Sequence, residues 1–347
     1  MRGMAPSVLR HISAAALALA LAGQATAAAT IVNPQGTVAL GVNDAGHLIS
    51  DVGGVAVNGG GTGTETGLAF RFADGLFYDA TSPGCFCEGW GVSIGGATSG
   101  YAAVENGVAG LALIEFSATA STATSRVALS DAPGLVIEHA FAPAPNAPEA
   151  LFRGRVTIAN GTGADVTDLR YVRVMDWDVP PTEFNERVTI QGVATTSLLA
   201  RSHNNGFALP DPLVDDGPID PATLDADFVD FVSAAVPPNS DQGAYFMFDF
   251  GTLGAGQQIQ FDIFYGAAAS EAAALDAIAR EQVELYSLGQ SFDGYEDGAP
   301  ATYIFAFAGV GGVPVPGPSA GALVALGSLA LGAARHRMRR DSSSRTS

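Results

Sequence analysis

Two aspartates flank a tryptophan at Asp176-Trp177-Asp178, and Glu183 follows just beyond Pro180-Pro181. In an extended strand, residues i and i+2 point to the same face, so Asp176 and Asp178 can serve one ligand. An indole beside carboxylates suits a sugar, which stacks on the ring and donates its hydroxyls to the acids. Two carboxylates about 5–9.5 Å apart are also the acid–base arrangement of a glycosidase. The competing reading makes Trp177 a core residue and the aspartates a strand end. Glu88 beside Trp90 repeats the pattern more weakly.

Other candidate groups are fewer. Cys85 and Cys87 are the only cysteines. One residue apart, they are too distant in a straight strand for a disulfide, but Pro83-Gly84 and Gly89 allow a tight turn that would close one. A redox role or a share in a metal site is the weaker reading, because zinc normally takes four ligands. The stretch 210–232 holds four prolines and seven aspartates. Of these, Asp215, Asp216, Asp220, Asp225 and Asp227 form a candidate calcium site, since calcium takes six to eight oxygen ligands. The spacing matches neither an EF-hand loop nor a nonapeptide repeat, and a solvated loop is the alternative. His47, His139 and His203 stand singly, and no G-x-S-x-G, H-E-x-x-H or phosphate-binding loop occurs. Asn160-Gly161-Thr162 reads as a turn.

The elements that must position these groups are strands. Apolar or alternating runs bounded by turn residues fall at 37–42, 47–52, 68–72, 111–116, 126–129, 135–141, 151–159, 168–179, 187–199, 245–250, 258–265 and 302–308. The run 168–179 has mixed faces, which predicts cover on both sides. One helix is expected late, with Ser270 as N-cap, a stripe of Leu275, Ile278, Ala279, Val283 and Tyr286, and Gly289 as its terminator. A short helix is expected near 222–230. This pattern predicts an all-β, mainly antiparallel fold: a large β-sandwich or super-sandwich spanning 28–310. A split into two subdomains near 143–148, where prolines cluster, is the alternative.

Both ends differ from this body. Residues 1–27 read as a secretory signal peptide: Arg2 and Arg10 precede an apolar run at 12–22, and Ala25-Thr26-Ala27 is a small-x-small cleavage site. The C-terminal segment 311–347 holds Val313-Pro314-Val315-Pro316, then an apolar run at 319–334, then Arg335, Arg337, Arg339 and Arg340. The run approaches the length of a membrane span when counted from Val313, and the arginines would hold its end on the cytoplasmic side.

This order of elements resembles the PEP-CTERM sorting signal of Gram-negative bacteria, with Pro314-Val315-Pro316 standing in place of Pro-Glu-Pro. The resemblance covers roughly 313–340. It implies export, handling by signal peptidase and an exosortase-type sorting enzyme, transient or anchored contact with the membrane, and a final place on the cell surface or in the extracellular matrix, often beside exopolysaccharide. The stretches 84–91, 165–184 and 256–269 are similar to parts of bacterial secreted proteins that carry such tails, which implies a shared fold and no particular activity.

Charge agrees with this division. The 347-residue chain has a formal net charge of −19 and no lysine, and seven of its 16 arginines lie in the two end segments. The body therefore carries 34 acids against nine arginines. An acidic body argues against a nucleic-acid partner, favours solubility, and can attract divalent cations. The expected function is that of a secreted, surface-sorted envelope or matrix protein, non-enzymatic, associated with exopolysaccharide. The alternative is a carbohydrate-binding module or glycan-active enzyme built on Asp176, Trp177 and Asp178. No cofactor is required by this reading, and calcium is the one candidate.

Overall fold

The structure, a computed structural model, describes residues 28–57, 64–231, 241–292 and 301–315. Among the described residues, the fold is a large antiparallel β-sandwich with one named α-helix, late in the chain. Every ladder between its named strands is antiparallel.

A small N-terminal sheet comprises β1 (Ala28–Val32), β2 (Val38–Asn43), β3 (Leu68–Arg71) and β4 (Phe77–Asp79) in sequential order. One main sheet runs β14 (Leu199–His203), β16 (Gln242–Leu253), β12 (Val166–Trp177), β5 (Glu88–Ile94), β6 (Thr98–Ala103) and β7 (Gly107–Ala109). The other has nine strands: β15 (Phe228–Phe231), β13 (Glu186–Gln191), β18 (Leu285–Ser291), β19 (Thr302–Ala308), β17 (Gln258–Ala268), β11 (Leu151–Asn160), β10 (Ala132–Pro143), β9 (Ala123–Leu129) and β8 (Leu111–Ala118).

The two main sheets face each other across an aromatic core. Phe246 and Phe248 of β16 meet Phe305 and Phe307 of β19, and Tyr171 of β12 meets Phe261 of β17 edge-on. Alternation along β12 explains this: Leu169, Tyr171, Arg173, Met175 and Trp177 point inward and are all buried. The opposite face carries Val172 and Val174, which pack with Ala208, Tyr245 and Met247 in a separate cluster. The strand is thus covered on both sides. Gly91 shows how close that outer cover lies, since a Cβ there would stand 1.9 Å from the carbonyl oxygen of Pro210.

The helix α1 (Glu271–Arg280) is shorter than its stripe suggests. Ser270 caps it as expected, accepting from Ala273 N, but it ends at Arg280, and Gln282 turns the chain at a positive φ of 56°. Val283 lies in the connection, while Tyr286 and Gly289 belong to β18, where pairing with β13 and β19 replaces helical bonds. Near 222–230, a 3-10 turn at Pro221–Thr223 and the strand β15 stand where a short helix was expected. The proline cluster at 143–148 leads from β10 through its connection to β11, two partners in one sheet, and its Ala144 and Ala147 are fully buried. Among the described residues, no helix is long and apolar enough to cross a membrane. The expected signal peptide, Pro316 of the expected sorting motif, the apolar run 319–334 and the arginines beyond it lie outside the described residues.

Candidate functional site

Asp176 and Asp178 sit where β12 leaves the sandwich, and two further acids join them from other strands. Asp241 immediately precedes β16, the hydrogen-bonded neighbour of β12. Glu186 opens β13 on the opposite sheet. The connection from β12 to β13 passes through the Pro180-Pro181 cis peptide, and the Asp178 N–H holds it by donating to Ala80 O at 2.8 Å. Gln242, next to Asp241, donates to Glu186 O at 3.2 Å and so couples the two strand starts.

The cluster is closed. Asp176 is 1% exposed, Asp178 and Glu186 are 0% exposed, and only Asp241 of the four reaches partway to the surface. Asp176 Oδ1, both carboxylate oxygens of Asp178, Glu186 Oε2 and Asp241 Oδ1 have no hydrogen-bond partner. One oxygen each from Asp176, Asp178 and Asp241 lie within 4.8 Å of one another. Burial, then the neighbouring acids, push the carboxyls up: Asp178 to about 11, under the fields of Asp176, Asp241, Glu186 and Asp79, Glu186 to about 10, and Asp176 well above the carboxylate range. Burial alone moves Asp241 to about 6. Here the acids act on one another without an arginine to offset them.

Backbone forms the walls. A Cβ at Gly206 would lie 2.6 Å from Asp176 Oδ1, and one at Gly84 would lie 3.3 Å from Asp178 Oδ1. Gly84 turns at φ +80°, bringing Cys85 and Cys87, with Cα atoms 5.2 Å apart, into a disulfide. Cys85 Sγ then rests 3.3 Å from Asp176 Oδ2. As a disulfide sulfur, it offers no thiolate to a metal.

Trp177 corrects the sugar reading. It points into the core at 0% exposure, its Nε1–H donates to Ser287 Oγ at 3.0 Å, and its ring lies against Gly289, where a Cβ would be 2.6 Å away. It has no face to offer a sugar ring. Alternation made this outcome necessary once Asp176 and Asp178 faced the other way. Glu183 is half-buried on the connecting loop and is not one of the four clustered acids.

The aspartate-rich stretch is organised differently. Asp215 accepts from Gly217 N at 3.0 Å, Asp216 from Leu209 N at 2.8 Å, Asp220 from Ala222 N, Asp225 from Ser202 N, and Asp227 from Val193 N, the last three also at 2.8 Å. Arg201 adds a 3.3 Å contact to Asp215. Each carboxylate spends an oxygen on a backbone N–H, Asp215 and Asp220 within a local turn and the other three across to another segment, and the five do not converge among themselves on one point as a metal shell requires.

A second buried acid lies deeper in the sandwich. Glu88 and Arg173 are each 0% exposed and 2.6 Å apart. Glu88 also accepts from Leu48 N at 2.6 Å and from Tyr265 Oη at 3.3 Å, and Arg173 donates to Gly46 O. Burial pushes the Glu88 carboxyl up, while Arg173, Leu48 and Tyr265 pull it back. With three donors on two oxygens, the ionised form is the one that fits. Elsewhere, a cleft of about 350 Å³ beside α1 is lined largely by alanine, and its Arg280 is paired with Glu149 and Asp276.

Asp241 and Glu186 have no mark in the sequence that ties them to Asp176. The available signal is positional: each is an acid at the start of a strand, and both strand starts lie where β12 ends.

No family model and no curated protein matches the chain. Among solved structures, the chain is similar to a galactose mutarotase-like protein from Lactobacillus casei ATCC 334, at 10% identity and a TM-score of 0.31, over 82% of this chain and 88% of that one.

Proposed function

We propose that this is an exported, surface-sorted protein of a Gram-negative bacterium that displays its β-sandwich in the cell envelope or extracellular matrix, without catalytic activity and in association with exopolysaccharide. The observation that carries the reading is the way the described chain leaves the sandwich at the expected sorting motif. The last strand ends at Ala308, and Glu284 anchors the chain beyond it by accepting from the N–H groups of Val310 and Gly312, each at 2.9 Å. The proline motif follows at once: Val313 is 62% exposed, while Val315 donates its N–H to Val283 O. The Cys85–Cys87 disulfide suits an oxidising compartment. The burial of Asp176 and Asp178 supports a non-catalytic role, because a substrate cannot reach them without the chain opening.

The test is mass spectrometry of the mature protein from fractionated cells. The expected product begins at Ala28, lacks the arginine-rich end, and is found in the envelope or matrix fraction. An intact chain starting at Met1 in the cytoplasm would overturn the reading. A glycan array, probed with the mature protein, tests the polysaccharide part; absence of binding to any exopolysaccharide removes it.

A further inference from the structure

We propose that Asp176, Asp178, Asp241 and Glu186 form a calcium site that ties the end of β12 to the starts of β13 and β16. The inference does not depend on where the protein resides. It rests on geometry and on a shortage of partners. Three carboxylate oxygens from Asp176, Asp178 and Asp241 stand within 4.8 Å of one another. Calcium binds oxygens at about 2.3–2.6 Å, so ligands on opposite sides of the ion stand about 4.6–5.2 Å apart, and a shell of this size fits.

The second observation is independent of that spacing. Glu186 belongs to the facing sheet and is 0% exposed, yet its Oε2 meets no donor, and neither oxygen of Asp178 does. A buried acceptor without a donor costs about 1–3 kcal/mol, more when charged. A native fold that gathers several such oxygens in one place has a use for a cation there. The acids also act on one another, as the upward push on Asp178 by Asp176, Asp241 and Glu186 records.

The donor set selects the ion. Every free atom is a carboxylate oxygen, a hard ligand, and the neighbouring sulfurs are locked in a disulfide. Hard oxygen sets suit calcium, magnesium or manganese rather than zinc or copper. Magnesium demands near-ideal octahedral geometry at about 2.0–2.1 Å and usually keeps several of its waters, which an enclosed, several-carboxylate shell does not favour. Gly206 lets the backbone pass directly against Asp176, where any side chain would meet Oδ1 at 2.6 Å, and half-buried Asp241 marks the side from which an ion enters.

The experiment uses the full-length chain, stripped with chelator, exchanged into chelator-free buffer at pH 7.5, and titrated with calcium chloride by calorimetry and by thermal melting. We expect one saturable equivalent, with Tm rising by about 5 °C at one hundred times Kd. Magnesium chloride should give a smaller rise. Asp178→Asn and Asp241→Asn should each weaken binding at least about tenfold, a loss of the size seen when supporting groups of metal sites are removed. The double variant Asp215→Asn, Asp225→Asn should leave it unchanged. If Asp178→Asn does not fold, Asp241→Asn, nearer the surface, decides alone. Four results would overturn the proposal: no heat and no Tm shift in the wild-type chain, calcium binding undiminished in Asp241→Asn, loss of binding in the double variant instead, or a magnesium response equal to that of calcium.

Discussion

Two of the places where the sandwich buries carboxylates are built in opposite ways. Around Glu88 the protein supplies its own countercharge: Arg173 lies 2.6 Å away, and the Leu48 N–H and Tyr265 hydroxyl complete the set. Around Asp178 it supplies only more acid. The difference follows from location. Glu88 and Arg173 face the middle of the core from adjacent strands, β5 and β12, where water and ions do not reach. The Asp178 cluster lies at the strand ends, with Asp241 half-open to solvent. A buried charge at the centre must be matched from within the chain, whereas one near the rim can be matched from outside.

The sharpest way to break this comparison is to remove the internal countercharge. Arg173→Met leaves Glu88 buried beside an apolar side chain. Breaking such a pair by removing one partner costs about 3–5 kcal/mol, and urea unfolding should register a loss of that size. The double variant Glu88→Gln, Arg173→Met should recover most of it, because replacing both charges is often close to neutral. Equal losses in the single and double variants would mean that packing around Tyr265 and Trp90, and not charge matching, is what Arg173 contributes.

The opposite response is expected at the rim. Without calcium, burial and the neighbouring acids hold the Asp178 carboxyl protonated at pH 7.5, where it would ionise in the unfolded chain; Asp178→Asn removes that cost and should stabilise the chain by about 1–3 kcal/mol. With saturating calcium the order should reverse, the wild-type chain becoming the more stable of the two. Chemical denaturation with and without chelator reads both signs. A loss of stability on Asp178→Asn under both conditions would place Asp178 with Glu88, as a carboxylate already satisfied by the fold.

How far each region could be read from sequence depends on how local its cause is. The run 302–308 is β19 residue for residue, and 135–141 and 151–159 fall inside β10 and β11, because alternation records which face is buried. β5 was not legible. Its Gly89 and Gly91 interrupt any apolar pattern, yet they are there because the Pro210 segment crosses directly over the strand, which only the folded chain reveals. The helical stripe runs on into β18, since Val283 and Tyr286 keep a helical spacing although Val283 lies in the connection and Tyr286 in the strand. Asp176 and Asp178 were legible as a pair, but which neighbour faced the core was not: the mixed faces of 168–179 left Trp177 free to point either way. Asp241 and Glu186 reach the cluster through sheet pairing, and that order is a long-range property of the fold.

Two histidines extend the comparison to pH. His47 and His139 lie beside Arg173 in the core, and burial first, then the field of Arg173, lowers both, His47 to about 3. In the unfolded chain they titrate near 6.5. Their folded forms are held neutral, so this contribution to stability is complete above about pH 6.5 and is lost as pH falls from there toward the folded value. For His47 alone the loss at pH 5 is about 2 kcal/mol, and His139 adds to it. Because the raised carboxyls of Asp178 and Glu186 gain stability over the same interval, the histidine drop is read as a difference: between pH 7.5 and pH 5, chemical denaturation should show His47→Gln faring better than the wild-type chain by about 2 kcal/mol. An unchanged drop in that variant would assign the acid sensitivity to groups outside the Glu88–Arg173 core.

The smallest effect separates buried acids from exposed ones. Asp225 accepts from Ser202 N at 2.8 Å, and its side chain is 48% exposed beside Arg201. An exposed ion pair of this kind is worth about 0–1 kcal/mol, and a hydrogen bond to one oxygen survives in Asn, which keeps a carbonyl acceptor. Asp225→Asn should therefore shift stability by less than about 0.5 kcal/mol at pH 7.5, and Asp225→Ala, which removes the acceptor, by about 1 kcal/mol. The ratio between these two variants is the informative quantity, because at Asp225 geometry matters and charge does not, whereas at Asp178 the expected effect is the cost of burying an ionisable group among other acids. An Asp225→Asn loss as large as that of Asp225→Ala would show that charge matters in the aspartate-rich loop as well, and the contrast between rim and surface would lose its basis.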